Sequence, residues 1–293
     1  MLAALLESGH EVPLVLTQPD RPAGRGLRPV ASAVKQLALA RGLQVFQPET
    51  LKDGAAHARI AAARADCLVV AAYGLILPQP VLELAPLGAL NVHASLLPRW
   101  RGAAPIQRAL LAGDTKTGIS IMQMEAGLDA GPVLAQRELP IAPDDDAQSL
   151  HDKLAALGAE MIVAALKDAA RGRSRAVVQL AAGVTYAHKI SKAETVVDWK
   201  APAAQIERAV RALRPTPGAS TLLRDTALKL WRASVVDAQG TPGTVLDASA
   251  AEIVVACGEG ALRVTELQRA GGKRLAASDF LHGQSIKPGE RLG

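Results

Sequence analysis

The chain has 293 residues, 49% of them hydrophobic and 21% charged, which is long for one core and comfortable for two domains. No apolar stretch reaches the roughly 18 residues needed to cross a bilayer, and Met1 to Val12 lacks the basic region of a signal peptide. The reading is therefore a soluble cytoplasmic protein with no membrane partner. The net charge of +5 is uneven: 15 Lys and Arg stand against 17 Asp and Glu before Arg171, and 18 against 11 from Arg171 onward. A basic back half suggests an anionic partner there, or a solvated basic surface of no consequence.

The chain opens with a predicted helix, Leu2 to Ser8, although a doubly wound sheet normally opens with a strand. Val12 to Thr17 then reads as a strand, and Ala31 to Arg41 and Asp53 to Ala65 as helices. Leu68 to Ala72 is a continuous apolar run, expected to be a strand buried on both faces. Strands follow at Ala89 to Val92 and Gly118 to Met124, with a helix at Pro105 to Ala112 between them and a long amphipathic helix at Ala147 to Ala170 after them. This alternation predicts a doubly wound, Rossmann-like α/β domain over residues 1–172, built on a parallel sheet. The basic run from Arg171 to Arg175 starts a predicted linker, residues 173–191. Beyond it, the helix Ala203 to Leu213 ends at Pro215 and Pro217. Strand-like segments follow at Leu228 to Val236, Gly243 to Asp247, Ile253 to Ala256 and Ala261 to Leu267, which predicts a small β-barrel within residues 192–293.

Asn91-Val92-His93-Ala94-Ser95-Leu96-Leu97-Pro98 lies at the carboxyl end of a predicted strand, where open α/β sheets bind ligands. Asn91 and His93 are two apart and point to the same side of the strand. An amide donor beside an imidazole suits acyl transfer, with one group for a developing oxyanion and one for protons. A hydrogen-bonded structural histidine is the competing account. Gly127-Leu128-Asp129-Ala130-Gly131-Pro132 encloses one carboxylate between glycines, either as a turn or as the group that orients the histidine. Gln18 to Gly26 has no apolar pattern and reads as an exposed loop whose Arg21 and Arg25 suit phosphates, or as a solvated surface loop. Tyr73 to Pro78 is apolar and turn-prone and could line a pocket for a flat ring, or simply pack. Pro98 to Gly102 could present its two arginines at the site mouth, or form a surface turn. Cys67 and Cys257 read as two reduced thiols, and neither has a partner at metal-ligand spacing. No Walker loop, HExxH or GxGxxG motif occurs, so no metal or nucleotide cofactor is expected.

With these motifs together, the chain resembles the methionyl-tRNA formyltransferases. The resemblance runs through Thr17 to Gly26, Ala72 to Pro78, Asn91 to Gln107, Ile121 to Met124, Gly127 to Gly131, Val184 to Ala187 and Asp198-Trp199. The Asn-x-His and Ser-Leu-Leu-Pro motifs indicate the wider 10-formyltetrahydrofolate group. The arginine loop, the Arg99 to Pro105 run and the C-terminal domain narrow it to the tRNA enzymes. The resemblance implies a catalytic trio of Asn91, His93 and Asp129, with Asn91 on the formyl oxyanion, His93 moving protons, and Asp129 positioning His93. It implies 10-formyltetrahydrofolate as co-substrate near Tyr73, Leu75, Ile76, Ser95, Leu96, Leu97 and Pro98. It also implies initiator methionyl-tRNA as acceptor. That RNA is expected to be held by Arg21 and Arg25 from the loop, and by Lys189, Lys192, Arg208 and Arg211 on an oligonucleotide-binding (OB-like) barrel of a monomer.

The family also has a first strand, ending in a Gly-Thr-Pro loop, upstream of the helix that here follows Met1. Without it two strands are expected to lose a hydrogen-bonding neighbour, at about 1–3 kcal/mol for each buried backbone group left unpaired. A short start is the expected cause, with stability and activity reduced in a chain made as written. The alternatives are a formyltransferase acting on a sugar nucleotide or purine precursor, and a catalytically impaired RNA-binding relative.

Overall fold

The opening helix is α1 (Leu2–Glu7), and the first strand is short, β1 (Val15–Leu16). The Arg21-containing stretch expected as a bare loop instead carries paired strands β2 (Arg21–Ala23) and β3 (Arg28–Val30), antiparallel. Helix α2 (Ala33–Ala40) is capped by Ser32, whose hydroxyl accepts from the Lys35 N–H. After β4 (Val45–Phe46), helix α3 (Gly54–Ala62) starts where the Asp53 carboxylate accepts from the Ala55 N–H at 2.9 Å. There follow β5 (Leu68–Val70), α4 (Gln79–Leu82), β6 (Ala89–His93), β7 (Arg101–Gly102) and α5 (Pro105–Ala112), the last with proline at its first position. Then come β8 (Lys116–Gln123), β9 (Val133–Pro140), α6 (Ala147–Ala170) and β10 (Tyr186–Ala187).

The computed structural model describes residues 1–23, 28–249 and 252–293. They fall into two units: Met1–Pro105 with Thr117–Leu139 and Asp152–Ala187, and Ile106–Lys116 with Pro140–His151 and His188–Gly293. In the first, β1 pairs with β4 in parallel, and a separate sheet runs β5-β6-β8-β9. No described strand joins β1 to β5. The expected parallel sheet is in fact mixed: β5 and β6 run parallel, but β8 is antiparallel to β6, with His93 opposite Ser120. The run at Leu68 is also not buried on both faces. Leu68, Val69 and Val70 are half-buried, on a strand that is the edge of its sheet among the described residues, and Ala71 and Ala72 are exposed. Helix α6 lies close on this sheet, since a β-carbon on Gly158 would stand 2.7 Å from Val92 Cγ1 and 3.6 Å from Ile119 Cδ1. Val92 therefore faces the helix, which leaves Asn91 and His93 on the other face of the same strand.

In the second unit, α7 (Ala203–Ala212) buries Ile206 and Val210, four residues apart, in a core with Trp199, Leu213, Leu228, Leu230 and Leu262. Strands β11 (Ala219–Leu223), β12 (Thr226–Val236), β13 (Val245–Ser249), β14 (Glu252–Ala256) and β15 (Ala261–Arg269) form one antiparallel sheet in the order β11-β12-β15-β14-β13, with β16 (Arg274–Ala276) on β15. Helix α8 (Ala277–Gly283) adds Phe280 to the core. The sheet curls on itself, because Leu292 bridges Leu223 on β11 while Arg291 bridges Thr244 beside β13. These bridges draw the β11 and β13 ends of the sheet toward one C-terminal segment, as in an OB-like barrel.

No helix among the described residues is long and apolar enough to cross a membrane. Both cysteines are free, and burial pushes their thiols up to about 11, so they stay protonated near neutrality.

Candidate active site

Three separate chain segments meet around His93. The first is β6, whose two-residue period puts Asn91 and His93 side by side, 9% and 5% exposed. The second is the loop after β6, where the Trp100 carbonyl lies 2.9 Å from His93 Nε2. A carbonyl can only accept, so Nε2 carries the hydrogen in the neutral ring and Nδ1 is left as the acceptor. The third is the glycine-flanked loop after β8. It starts beside Leu90, which pairs with Gln123, and by Asp129 it has returned to the histidine.

Asp129 Oδ2 stands 3.6 Å from His93 Nδ1 and accepts from the Gly102 N–H at 2.8 Å. Its Oδ1 accepts from Asn91 Nδ2 at 3.3 Å. The backbone of Asp129 is left-handed, φ 46°, a conformation that Asp tolerates better than most residues. A proton taken up at Nδ1 would face the carboxylate, while Nε2 stays on the Trp100 carbonyl. Asn91 keeps a second amide hydrogen for a ligand. The cluster thus combines an oriented donor, a proton acceptor and a fixed counter-charge, the components of acyl transfer.

The loop after Asp129 is tight. A β-carbon on Gly131 would sit 1.9 Å from the Gln123 carbonyl oxygen, which is backbone and cannot yield. Gly131→Ala is expected to cost about 1–3 kcal/mol of stability, measured as a fall in Tm. An unchanged Tm would show that the loop can move aside.

Two residues that the sequence reading missed hold the loop after His93. Ser120, fully buried on β8, donates to the Ser95 carbonyl at 2.7 Å and accepts from the Leu97 N–H at 3.1 Å. Gln136 on β9 donates to the Leu97 carbonyl and to Ser120 Oγ, each at 2.9 Å. The only sequence signal was a lone hydroxyl inside the apolar run from Gly118 to Met124.

The expected folate-facing residues separate. The loops after β5 and β6 leave parallel, paired strands at the same edge of the sheet. Leu96 and Pro98 are half-buried and Ile76 is 89% exposed. Tyr73 and Leu75, however, pack on the cluster of Leu51, Ala56, Ile60 and Val81, and burial pushes the Tyr73 phenol above its ordinary value. Ser95 and Leu97 are also buried, with the Ser95 hydroxyl donated to the Arg99 carbonyl at 2.6 Å. The two arginines expected at the site mouth are engaged as well. Arg99 stacks on Trp100 at 4.4 Å, and Arg101 binds Gln179.

A family model described as Formyl transferase matches residues 1–166, and one described as Formyl transferase, C-terminal domain, matches residues 189–285. The methionyl-tRNA formyltransferase of Dechloromonas aromatica (strain RCB) is 57% identical over 291 residues, covering 99% of this chain and 94% of the relative. The chain belongs to the methionyl-tRNA formyltransferase family. The methionyl-tRNA formyltransferase of Aromatoleum aromaticum is 58% identical over 99% of this chain and 92% of its own. Among solved structures, HypX from Aquifex aeolicus in complex with tetrahydrofolic acid shares the fold, with a TM-score of 0.64 at 20% identity over 94% of this chain and 48% of that one.

The residues expected to meet RNA lie in several environments. Arg25 is outside the described residues, while Arg21 is exposed on β2. The base of that hairpin is a polar clasp: Lys35 Nζ donates to Asp20 Oδ2 and Gln47 Oε1, each at 2.6 Å, and Gln47 Nε2 donates to Asp20 Oδ1 at 2.9 Å. The Lys35 hydrogen bond, then that from Gln47, holds the Asp20 carboxyl below its ordinary value. In the second unit Lys189 and Lys192 are exposed. Arg208 is half-buried in a groove of about 290 Å³ with Gly113, Ile141 and Val235. Arg211 is engaged twice, with Nε on Glu207 Oε1 at 2.6 Å and Nη1 on the Asp145 carbonyl at 2.9 Å. Its guanidinium is largely satisfied without a phosphate, because Glu207 is one helical turn before it. Among the described residues no cluster of three or more His, Cys, Asp or Glu could hold a metal ion.

Proposed function

We propose that this chain transfers the formyl group of 10-formyltetrahydrofolate to the α-amino group of methionyl initiator tRNA. The reading rests on one observation: Asn91, His93 and Asp129 cluster in a chain 57% identical, over 99% of its length, to a methionyl-tRNA formyltransferase. Asn91 donates its free amide hydrogen to the formyl oxygen as that oxygen gains negative charge. His93 accepts the proton lost by the attacking amine at Nδ1, the nitrogen not committed to the Trp100 carbonyl, and returns it to the folate N10 as that bond breaks. Asp129 faces the imidazolium formed in between and ties Asn91 into the same frame.

The folate co-substrate lies along the loops after β5 and β6, with Leu96, Pro98 and Ile76 the accessible contacts and Tyr73, Leu75, Ser95 and Leu97 shaping the loops from below. Arg21, Arg25, Lys189 and Lys192 take phosphates of the RNA, with Arg208 and Arg211 contributing to the basic field. Residues 1–172 are the catalytic domain, 173–191 a basic linker and 192–293 the RNA-binding domain. The protein works as a cytoplasmic monomer with no membrane partner.

The test is transfer of labelled formyl from 10-formyltetrahydrofolate to methionyl initiator tRNA, with methionyl elongator tRNA and an amino-sugar nucleotide in parallel. Transfer to the initiator alone is the expected result. Transfer only to the sugar, or RNA binding without transfer, would overturn the reading. Lys189→Ala and Lys192→Ala are each expected to reduce the salt slope of tRNA binding by about one, with kcat retained. A binding constant and slope equal to wild type would remove both lysines from the interface.

A further inference from the structure

Every residue from Arg171 to Gly183 is exposed except Gln179, which is half-buried. Its side chain explains the difference. Nε2 donates to the Asp129 carbonyl at 2.9 Å and to the Gly131 carbonyl at 2.7 Å. Oε1 accepts from Arg101 Nε at 3.0 Å and Nη2 at 2.7 Å. Two carbonyls on one side and a guanidinium on the other allow only this orientation of the amide. One side chain thus joins the loop that carries Asp129 to the segment whose Trp100 carbonyl holds His93 and whose Gly102 N–H holds Asp129.

The stretch around Gln179 is fixed at both ends. Val177 exchanges backbone hydrogen bonds with Val133 at 2.8 and 2.9 Å. Thr185 accepts from the Trp100 N–H through its hydroxyl and from the Arg101 N–H through its carbonyl, each at 2.9 Å, and β10 then pairs with β7. Residues 177–187 therefore pass along the two loops that face His93, within a stretch that composition marks as linker.

We propose that Gln179 is a positioning residue for formyl transfer, acting by fixing the separation between Asp129 and the Trp100–Gly102 segment and so the placement of His93 between them. The inference rests on the reading above that His93 and Asp129 carry the chemistry. A sub-ångström drift of Asp129 leaves substrate binding surfaces intact but misplaces the proton acceptor, so the loss falls on kcat.

The experiment compares steady-state kinetics and Tm for wild type, Gln179→Met, Gln179→Glu and His93→Ala. Gln179→Met keeps the length and removes all four hydrogen bonds. Gln179→Glu keeps the acceptor for Arg101 but sets a carboxylate against two carbonyls. Both are expected to lower kcat about 10- to 100-fold, with KM for folate and for methionyl-tRNA within about threefold of wild type and little change in Tm. Wild-type kcat in both Gln179 variants, with His93→Ala inactive, would overturn the proposal alone. A fall in kcat that tracks a large loss of Tm or a rise in both KM values would overturn it as well, leaving a structural clasp. Full activity in His93→Ala would overturn the reading on which it stands.

Discussion

Replacing His93 by alanine is expected to lower kcat for formyl transfer by about 10²- to 10⁴-fold, the range for losing a general acid–base group. The loss should be confined to turnover. His93 is buried, but its links are peripheral to the frame: the Asn91–Asp129 and Gly102–Asp129 hydrogen bonds do not pass through it. The affinity for tRNA should therefore stay near wild type, and Tm should fall by no more than the loss of the His93 hydrogen bond to the Trp100 carbonyl explains, about 1–3 kcal/mol. The cavity left by the ring opens between a carbonyl acceptor and a carboxylate, so added imidazole is expected to restore part of the rate. A kcat within a few-fold of wild type would show that the amine loses its proton to solvent and that the histidine is structural.

Regular elements with strong local signals could be read from the sequence. Helices Pro105–Ala112 and Ala147–Ala170 fall where the pattern put them, the first because proline fixes its start and the second because its apolar period is sustained. The β9 strand, Val133–Pro140, was missed because its later residues are exposed and polar, so no alternating pattern marks it. The mixed sheet was missed for a different reason: strand direction depends on how the chain returns, and the connection from β6 to β8 through β7 and α5 carries no sign of that. In the site, Asn91 and His93 were legible from a two-residue spacing at a strand end. Ser120, Gln136 and Gln179 were not, because each acts through backbone groups of a distant segment, and a side chain that binds backbone leaves no partner residue type to search for. Arg211 shows the converse. Glu207 lies four residues before it on one helix, so the ion pair could be read directly from the spacing.

The second large effect is expected at Asp129, and the informative change there is to asparagine. The shape is nearly the same, and asparagine accepts a left-handed backbone as readily, so φ 46° carries no added strain. The carboxylate, however, serves two donors, Asn91 Nδ2 and the Gly102 N–H. An amide has one acceptor oxygen. If its NH2 replaces Oδ2, it confronts the Gly102 N–H and can donate to His93 Nδ1, occupying the nitrogen that must take the proton. If its NH2 replaces Oδ1, it confronts the Asn91 amide, which is relieved only if Asn91 turns over and withdraws its donor from the formyl oxygen. Either arrangement removes the counter-charge to the imidazolium and disables one of the two catalytic groups. Asp129→Asn is thus expected to lose about 10²- to 10⁴-fold in kcat, with a fall in Tm no larger than one unpaired buried donor explains, about 1–3 kcal/mol. Comparable loss in Asp129→Asn and His93→Ala, with little further loss in the double variant, would mark the two as one unit. Fully additive losses would separate them and assign Asp129 a role through Asn91 or the loop backbone instead.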